Sequence, residues 1–133
     1  MGSTDFNIGI TEEDPHGVSQ HEPGAKLDKG KPDASLLLMF GKALVAVSEV
    51  GTFGAAKYTR GGWQHVLAGE ERYTAALLRH VFEENYSSYD DDSGLLHAAH
   101  AAWNALARLE LMLREADGYG VPPIRTVDSS LER

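Results

Sequence analysis

The pattern of apolar and polar positions changes several times along this chain, and each change marks an expected element. Residues 1–25 (MGSTDFNIGITEEDPHGVSQHEPGA) are polar, rich in glycine and proline and without a period, so they read as a flexible N-terminal arm. KLDKGKPD (26–33) is a basic turn in which Pro32 and Asp33 are placed to start a helix. From Ala34 to about Val50 apolar residues recur at helical spacing, at Leu36, Phe40, Ala43, Val47 and Val50. GTFGAAKYTRGGW (51–63) is expected to bend the chain at its glycines and to hold one more helical turn around Ala55–Tyr58. A second main helix is expected from about Glu70 to Tyr86. After the turn SSYDDDSG (87–94) a third follows, capped by Asp92 or Ser93 and ending near Gly118. There is no β-alternation of useful length and no internal repeat. The expected architecture is an all-α small helical bundle of three to four helices over residues 26–116, with 117–133 as a C-terminal tail.

The third segment, SGLLHAAHAAWNALARLELML (93–113), is apolar on nearly every face, which is the mark of a buried helix. Yet it carries His97, His100 and Asn104 in one stripe, within about 60° of each other at about 100° per residue. The stripe lies opposite a Leu95–Ala99–Ala102–Leu106–Leu109–Leu113 seam. Each unpaired buried polar group costs roughly 1–3 kcal/mol, so these side chains belong either to an internal polar network or to a site. On the second helix His80 has Glu83 at i+3 and Glu84 at i+4. The short connection makes the two helices antiparallel neighbours, so imidazoles and carboxylates face each other across a helical hairpin. That combination suits a divalent metal. The competing reading has Arg79–Glu83 and His80–Glu84 as surface pairs, with the histidines and Asn104 as a satisfied core network.

Two further groups have the chemistry of ligand contacts. Lys57, Tyr58, Arg60 and Trp63 offer cations for phosphate oxygens and aromatic faces for a base, and Lys26, Lys29 and Lys31 crowd the basic turn. Both groups can equally be solvated surface. Asp90–Asp91–Asp92 is a solvated turn and helix cap, or else contributes a metal carboxylate. The glycines do not form a phosphate loop, since GxxxxGK[ST] is absent.

Composition then narrows the function. With 133 residues and 42% hydrophobic content, much of it alanine, one domain with a thin core is expected. The Leu/Ala seam of the third helix has few partners within one chain, which points to a homodimer or homotetramer building a shared bundle. A net charge of −8 argues against binding polymeric nucleic acid or an anionic membrane. The absence of cysteine excludes disulfides, thiolate metal sites and a cysteine nucleophile. No leader and no uninterrupted apolar run of roughly 18 residues is seen, so a cytoplasmic protein is expected.

KLDKGKPD, TFGAAKY, GGW, AALLRH and DSGLLHAAHAAWNAL, in this order, resemble the phage-associated dATP/dGTP diphosphohydrolase family, related to the MazG-like all-α NTP pyrophosphohydrolases. The resemblance covers roughly residues 26–115. It implies a helical, oligomeric hydrolase dependent on Mg or Mn (one to three ions). Such an enzyme converts a purine deoxynucleoside triphosphate, dGTP or dATP, to the monophosphate and pyrophosphate in the host cytoplasm of a phage. It implies metal ligation by His80, Glu83, Glu84, Asp92, His97 and His100, with Glu83, Glu84 or His80 as general base. Lys31, Lys57, Tyr58, Trp63, Arg79 and Asn104 would contact substrate. Where the wider superfamily pairs ExxE with ExxD, this chain has His80-x-x-Glu83 and His97-x-x-His100. A protein that sequesters a nucleotide without cleaving it, or a purely structural helical oligomer, uses the same residues differently. An HD-type phosphohydrolase needs a His-Asp pair that this sequence lacks, and a ferritin-like di-iron centre needs paired Glu-x-x-His motifs that are also absent.

Overall fold

The computed structural model describes residues 12–118 of the 133. These fall into two compact units, 12–39 and 40–118. The C-terminal tail beyond Gly118 and the first eleven residues of the expected arm lie outside the described residues.

In the first unit Asp14 organises a run of turns. Its carboxylate is buried and accepts backbone N–H bonds from His16 (2.7 Å), Val18 (3.3 Å) and Lys26 (2.8 Å). Those bonds, that from the Lys26 N–H foremost, hold its pKa below the ordinary carboxylate value even though burial opposes them. Two lysines of the basic turn are paired here, Lys29 with Glu13 at 3.1 Å and Lys31 with Glu12 at 3.6 Å. Asp33 then does what its position predicts: its Oδ1 accepts the Ser35 N–H at 3.0 Å and starts a 3-10 helix over Ala34–Phe40.

The second unit holds three α-helices, α1 (Gly41–Lys57), α2 (Gly69–Glu83) and α3 (His97–Ala116), with a 3-10 turn at Gly62–His65. The expected bend at Gly51 and Gly54 does not occur, and α1 runs unbroken to Lys57. Gly51 is there for packing: a Cβ on it would stand 2.6 Å from the ring of Trp103, so α1 and α3 approach through a residue with no side chain. Gly69 serves the α2–α3 contact in the same way, its missing Cβ lying 2.8 Å from Leu111. α2 and α3 form the principal antiparallel pair, as the short connection requires.

The core is thin. Its buried apolar residues are Val47 and Val50 of α1 and Ala99, Ala101 and Ala107 of α3, and among the described residues no large side chain is fully buried. Trp63, Trp103 and Tyr73 add edge-to-face packing at centroid distances of 6.3 and 6.4 Å, and the Tyr73 hydroxyl donates to the Trp63 carbonyl at 2.6 Å. The polar stripe of α3 is on the buried side: His97, His100 and Asn104 are all buried, while Leu106, Leu109 and Leu113 are half exposed.

Two boundaries differ from expectation. α2 stops at Glu83 rather than Tyr86, and α3 starts at His97 rather than at Asp92 or Ser93. Leu96 is its N-cap, an apolar side chain with no group to cap with, and Leu95 and Leu96 belong to a tight hairpin. Tyr89 and Leu96 form an antiparallel bridge, Asp90 N–H donates to Leu95 O (2.8 Å), His97 N–H to Ser88 O (2.9 Å), and Gly94 closes the turn at φ +73°. Ala34–Lys57 forms a 24-residue helical stretch with a mean hydropathy of 1.6 in its most apolar 18-residue window, enough by length and composition to cross a membrane. Lys42 and Glu49 interrupt its apolar run without breaking the helix.

Candidate metal centre

The C-terminal end of α2, the 88–97 hairpin and the first turn of α3 bring four ligand-bearing side chains together. One ligand atom from each of His80, Glu83, Asp90 and His97 lies within 4.8 Å of all the others. The two imidazoles are hydrogen-bonded through Nδ1 atoms 2.9 Å apart, a contact an ion would replace, and His97 Nδ1 is 3.5 Å from Glu83 Oε2. Adjacent ligands on an octahedral ion with bonds of about 2.1 Å stand about 3 Å apart, so these separations suit donors converging on one cation.

The protonation states fit as well. Burial pushes the His80 pKa down, and the neighbouring His100 adds to the effect. Burial likewise lowers His100 against the pull of Asp90. Burial would raise Asp90, but hydrogen bonding by Ser93 and the nearby imidazoles outweigh it and hold the carboxyl below its ordinary value. Neutral imidazole beside ionised carboxylate is the form in which these groups bind metal.

His100 stands behind this set. Its ring stacks on His80 at 4.5 Å and 8° from parallel, and Phe53 meets it edge-on at 6.3 Å. Its Nε2 is 2.6 Å from Ser93 Oγ and 3.7 Å from Asp90 Oδ2. Asn104 Nδ2 donates to the His100 carbonyl at 2.8 Å, one helical turn back, which engages the amide within α3.

Of the residues singled out from sequence, the structure therefore brings His80, Glu83 and His97 into one set with Asp90. Glu84, Asp92 and His100 lie outside that set. Glu84 is the exposed residue that follows α2. Asp92 pairs with Lys57 at 2.5 Å, and the same ammonium lies 5.7 and 5.5 Å from the ring centres of Phe53 and Tyr58. Arg79 is exposed on α2 just before His80, and Trp63 is taken up in the aromatic packing with Arg114 5.6 Å from its ring centre. Lys31 belongs to the 12–39 unit. A cleft of about 460 Å³ opens at the opposite end of the α2–α3 pair, lined by Gln64, Gly69, Glu70, Leu111 and Arg114, and it contains none of the candidate site residues.

Asp90 and Ser93 are the site residues that sequence reasoning undervalued. The available signal was the Asp-x-x-Ser-Gly spacing, in which an aspartate can bond an N–H three residues on while a left-handed glycine completes the turn. The Ser93 N–H donates to Asp90 Oδ2 at 2.8 Å.

Among the described residues, an all-helical fold with a His₂/carboxylate₂ cluster across an antiparallel helix pair is the class that fold and site define. The chain belongs to the dATP/dGTP diphosphohydrolase family, whose N-terminal region matches residues 21–118. A protein of Salmonella phage PMBT28 named dATP/dGTP diphosphohydrolase is 42% identical over 80 residues, which is 59% of this chain and 26% of that protein. The chain thus spans about a quarter of the length of that curated relative. No solved structure matches it.

Proposed function

We propose that this chain is a metal-dependent hydrolase that converts a purine deoxynucleoside triphosphate, dGTP or dATP, to the monophosphate and pyrophosphate. The observation that carries the reading is the convergence of His80, Glu83, Asp90 and His97 within 4.8 Å. Family membership and the name of the phage relative support the reaction class.

His80, Asp90 and His97 would hold the ion, with Glu83 completing the set or serving as base. Mg takes oxygen ligands almost exclusively, so two imidazoles shift the expected preference towards a first-row ion, Mn of the two. When bound, the ion neutralises charge on the triphosphate and makes water more acidic. Glu83 is the most solvent-accessible of the four, its side chain 52% exposed, and is suited to take the proton of the attacking water. The water oxygen bonds to the α-phosphorus, the α–β bridging bond breaks, and pyrophosphate leaves with the bridging oxygen. Arg79 and Lys57 are the cations for phosphate oxygens, with Lys57 exchanging its Asp92 partner for the substrate. Tyr58 and Trp63 remain the proposed aromatic contacts and Lys31 the outlying cation. Asn104, bonded to the His100 carbonyl, supports the helix that carries two of the histidines.

The apolar residues left exposed on this unit, including Phe40, Val45, Phe82, Leu106 and Leu109, favour a second copy of the chain as their cover. A homodimer or homotetramer is accordingly proposed, in the host cytoplasm, with 117–133 as a tail outside the catalytic domain.

A panel of dNTPs incubated with Mn or Mg, with pyrophosphate and orthophosphate measured separately, tests the reaction. Metal-stimulated pyrophosphate release from dGTP or dATP is expected. Orthophosphate alone, or nucleotide bound and recovered intact, would replace this reading by a different hydrolase or by a sequestering protein.

A further inference from the structure

Ser93 links the loop that presents Asp90 to the first turns of α3. Its N–H donates to Asp90 Oδ2 at 2.8 Å, its Oγ accepts the Leu95 N–H at 3.1 Å, and the same Oγ lies 2.6 Å from His100 Nε2. His100 Nε2 and Asp90 Oδ2 are themselves only 3.7 Å apart, just beyond hydrogen-bond reach, and both groups are largely shielded from water. An imidazole N–H and a carboxylate so close form a charge-assisted hydrogen bond whenever nothing intervenes. Here the Ser93 hydroxyl engages the nitrogen first.

We propose that Ser93 is a positioning residue that keeps His100 off Asp90, leaving the Asp90 carboxylate turned towards His80, Glu83 and His97 as a cation ligand. The inference rests on the metal-centre reading above and adds to it a residue outside the ligand set. Without the hydroxyl, His100 closes the short gap and donates Nε2–H to Asp90 Oδ2, taking up a lone pair the cation needs. The His80 ring, stacked on His100 at 4.5 Å, moves with it. One missing hydroxyl therefore disturbs two of the four ligands at once. Threonine keeps the hydroxyl on the same carbon and preserves the arrangement.

The test uses the full chain and two readouts. In the metal-free protein, NMR with isotope-labelled histidine and aspartate reports whether a His100 Nε2–H···Asp90 hydrogen bond is present. It is expected in Ser93→Ala and absent in wild type and in Ser93→Thr. Titration with Mn2+ followed by EPR is expected to show about a 10-fold or greater loss of affinity in Ser93→Ala, restored by Ser93→Thr. A His100–Asp90 hydrogen bond already present in wild type overturns the inference without needing any variant to fold. So does a folded Ser93→Ala that binds Mn2+ as tightly as wild type, and in both cases the metal centre stands. A wild-type chain that binds no Mn2+ overturns the metal centre and the inference with it.

Discussion

Four side chains carry the account at the scale of single residues, and they are not equivalent. His97 is buried, His80 and Asp90 are half-buried, and Glu83 is exposed at the rim. Burial decides what each can lose. His97→Ala or Asp90→Asn is expected to lower Mn2+ affinity by about 10–100-fold with little change in helix content, read by calorimetry and circular dichroism. Glu83→Gln keeps the size of the side chain and removes the base. It is expected to lower the hydrolysis rate about 10²–10⁴-fold while nucleotide binding persists. A Glu83→Gln protein with wild-type turnover would move the base elsewhere. Gly51 makes the packing counterpart: Gly51→Val drives a side chain into Trp103 and is expected to cost about 1–3 kcal/mol in thermal denaturation. An unchanged melting temperature would mean that α1 and α3 do not meet through that glycine.

Elements explain why some of this was legible in the sequence and some was not. The His97–His100–Asn104 stripe is visible because a helix repeats every 3.6 residues, and those positions share a face wherever the helix begins. Asp90 has no such protection. Its direction depends on the 88–97 hairpin, where α3 starts three residues after Gly94 and the Asp90 carboxylate is fixed by the Ser93 N–H. Helix-start rules favoured Asp92 or Ser93 as a cap, and hairpin bonding to Ser88 and Leu95 prevailed over that local preference. The glycines of α1 were misleading for the converse reason, since tertiary packing against Trp103 overrode their low helix propensity.

The run of turns around Asp14 was also missed, because three backbone donors converging on one carboxylate leave no periodic trace. Its pH dependence follows from the sign of the shift. Its backbone hydrogen bonds, that from Lys26 foremost, hold the folded pKa below the ordinary carboxylate value, so the contribution to local order is complete above the ordinary value and is lost as pH falls through the lowered one. Exchange protection of the Lys26 amide is expected to vanish over that acid range and to be absent already at neutral pH in Asp14→Asn. Equal protection in the variant would contradict the role given to this carboxylate.

On the scale of the whole molecule, the described unit has a thin alanine-rich core and many half-exposed leucines, the observation behind the proposed oligomer. Light scattering is expected to give twice or four times the 14.4 kDa chain mass, and the pair Leu109→Glu with Leu113→Glu is expected to shift it towards one. A wild-type monomer would leave the apolar faces to another cover. The chain matches about a quarter of a longer phage relative.

The central claim is that His80, Glu83, Asp90 and His97 form one cation site. Pulsed EPR of the chain loaded with Mn2+ addresses it most directly, since imidazole nitrogen bound to the ion gives a distinct ¹⁴N modulation. The account predicts that modulation in wild type, a weaker one in His97→Ala, and loss of tight binding in Asp90→Asn. Mn2+ bound without nitrogen coupling, or bound equally well by both variants, would contradict it.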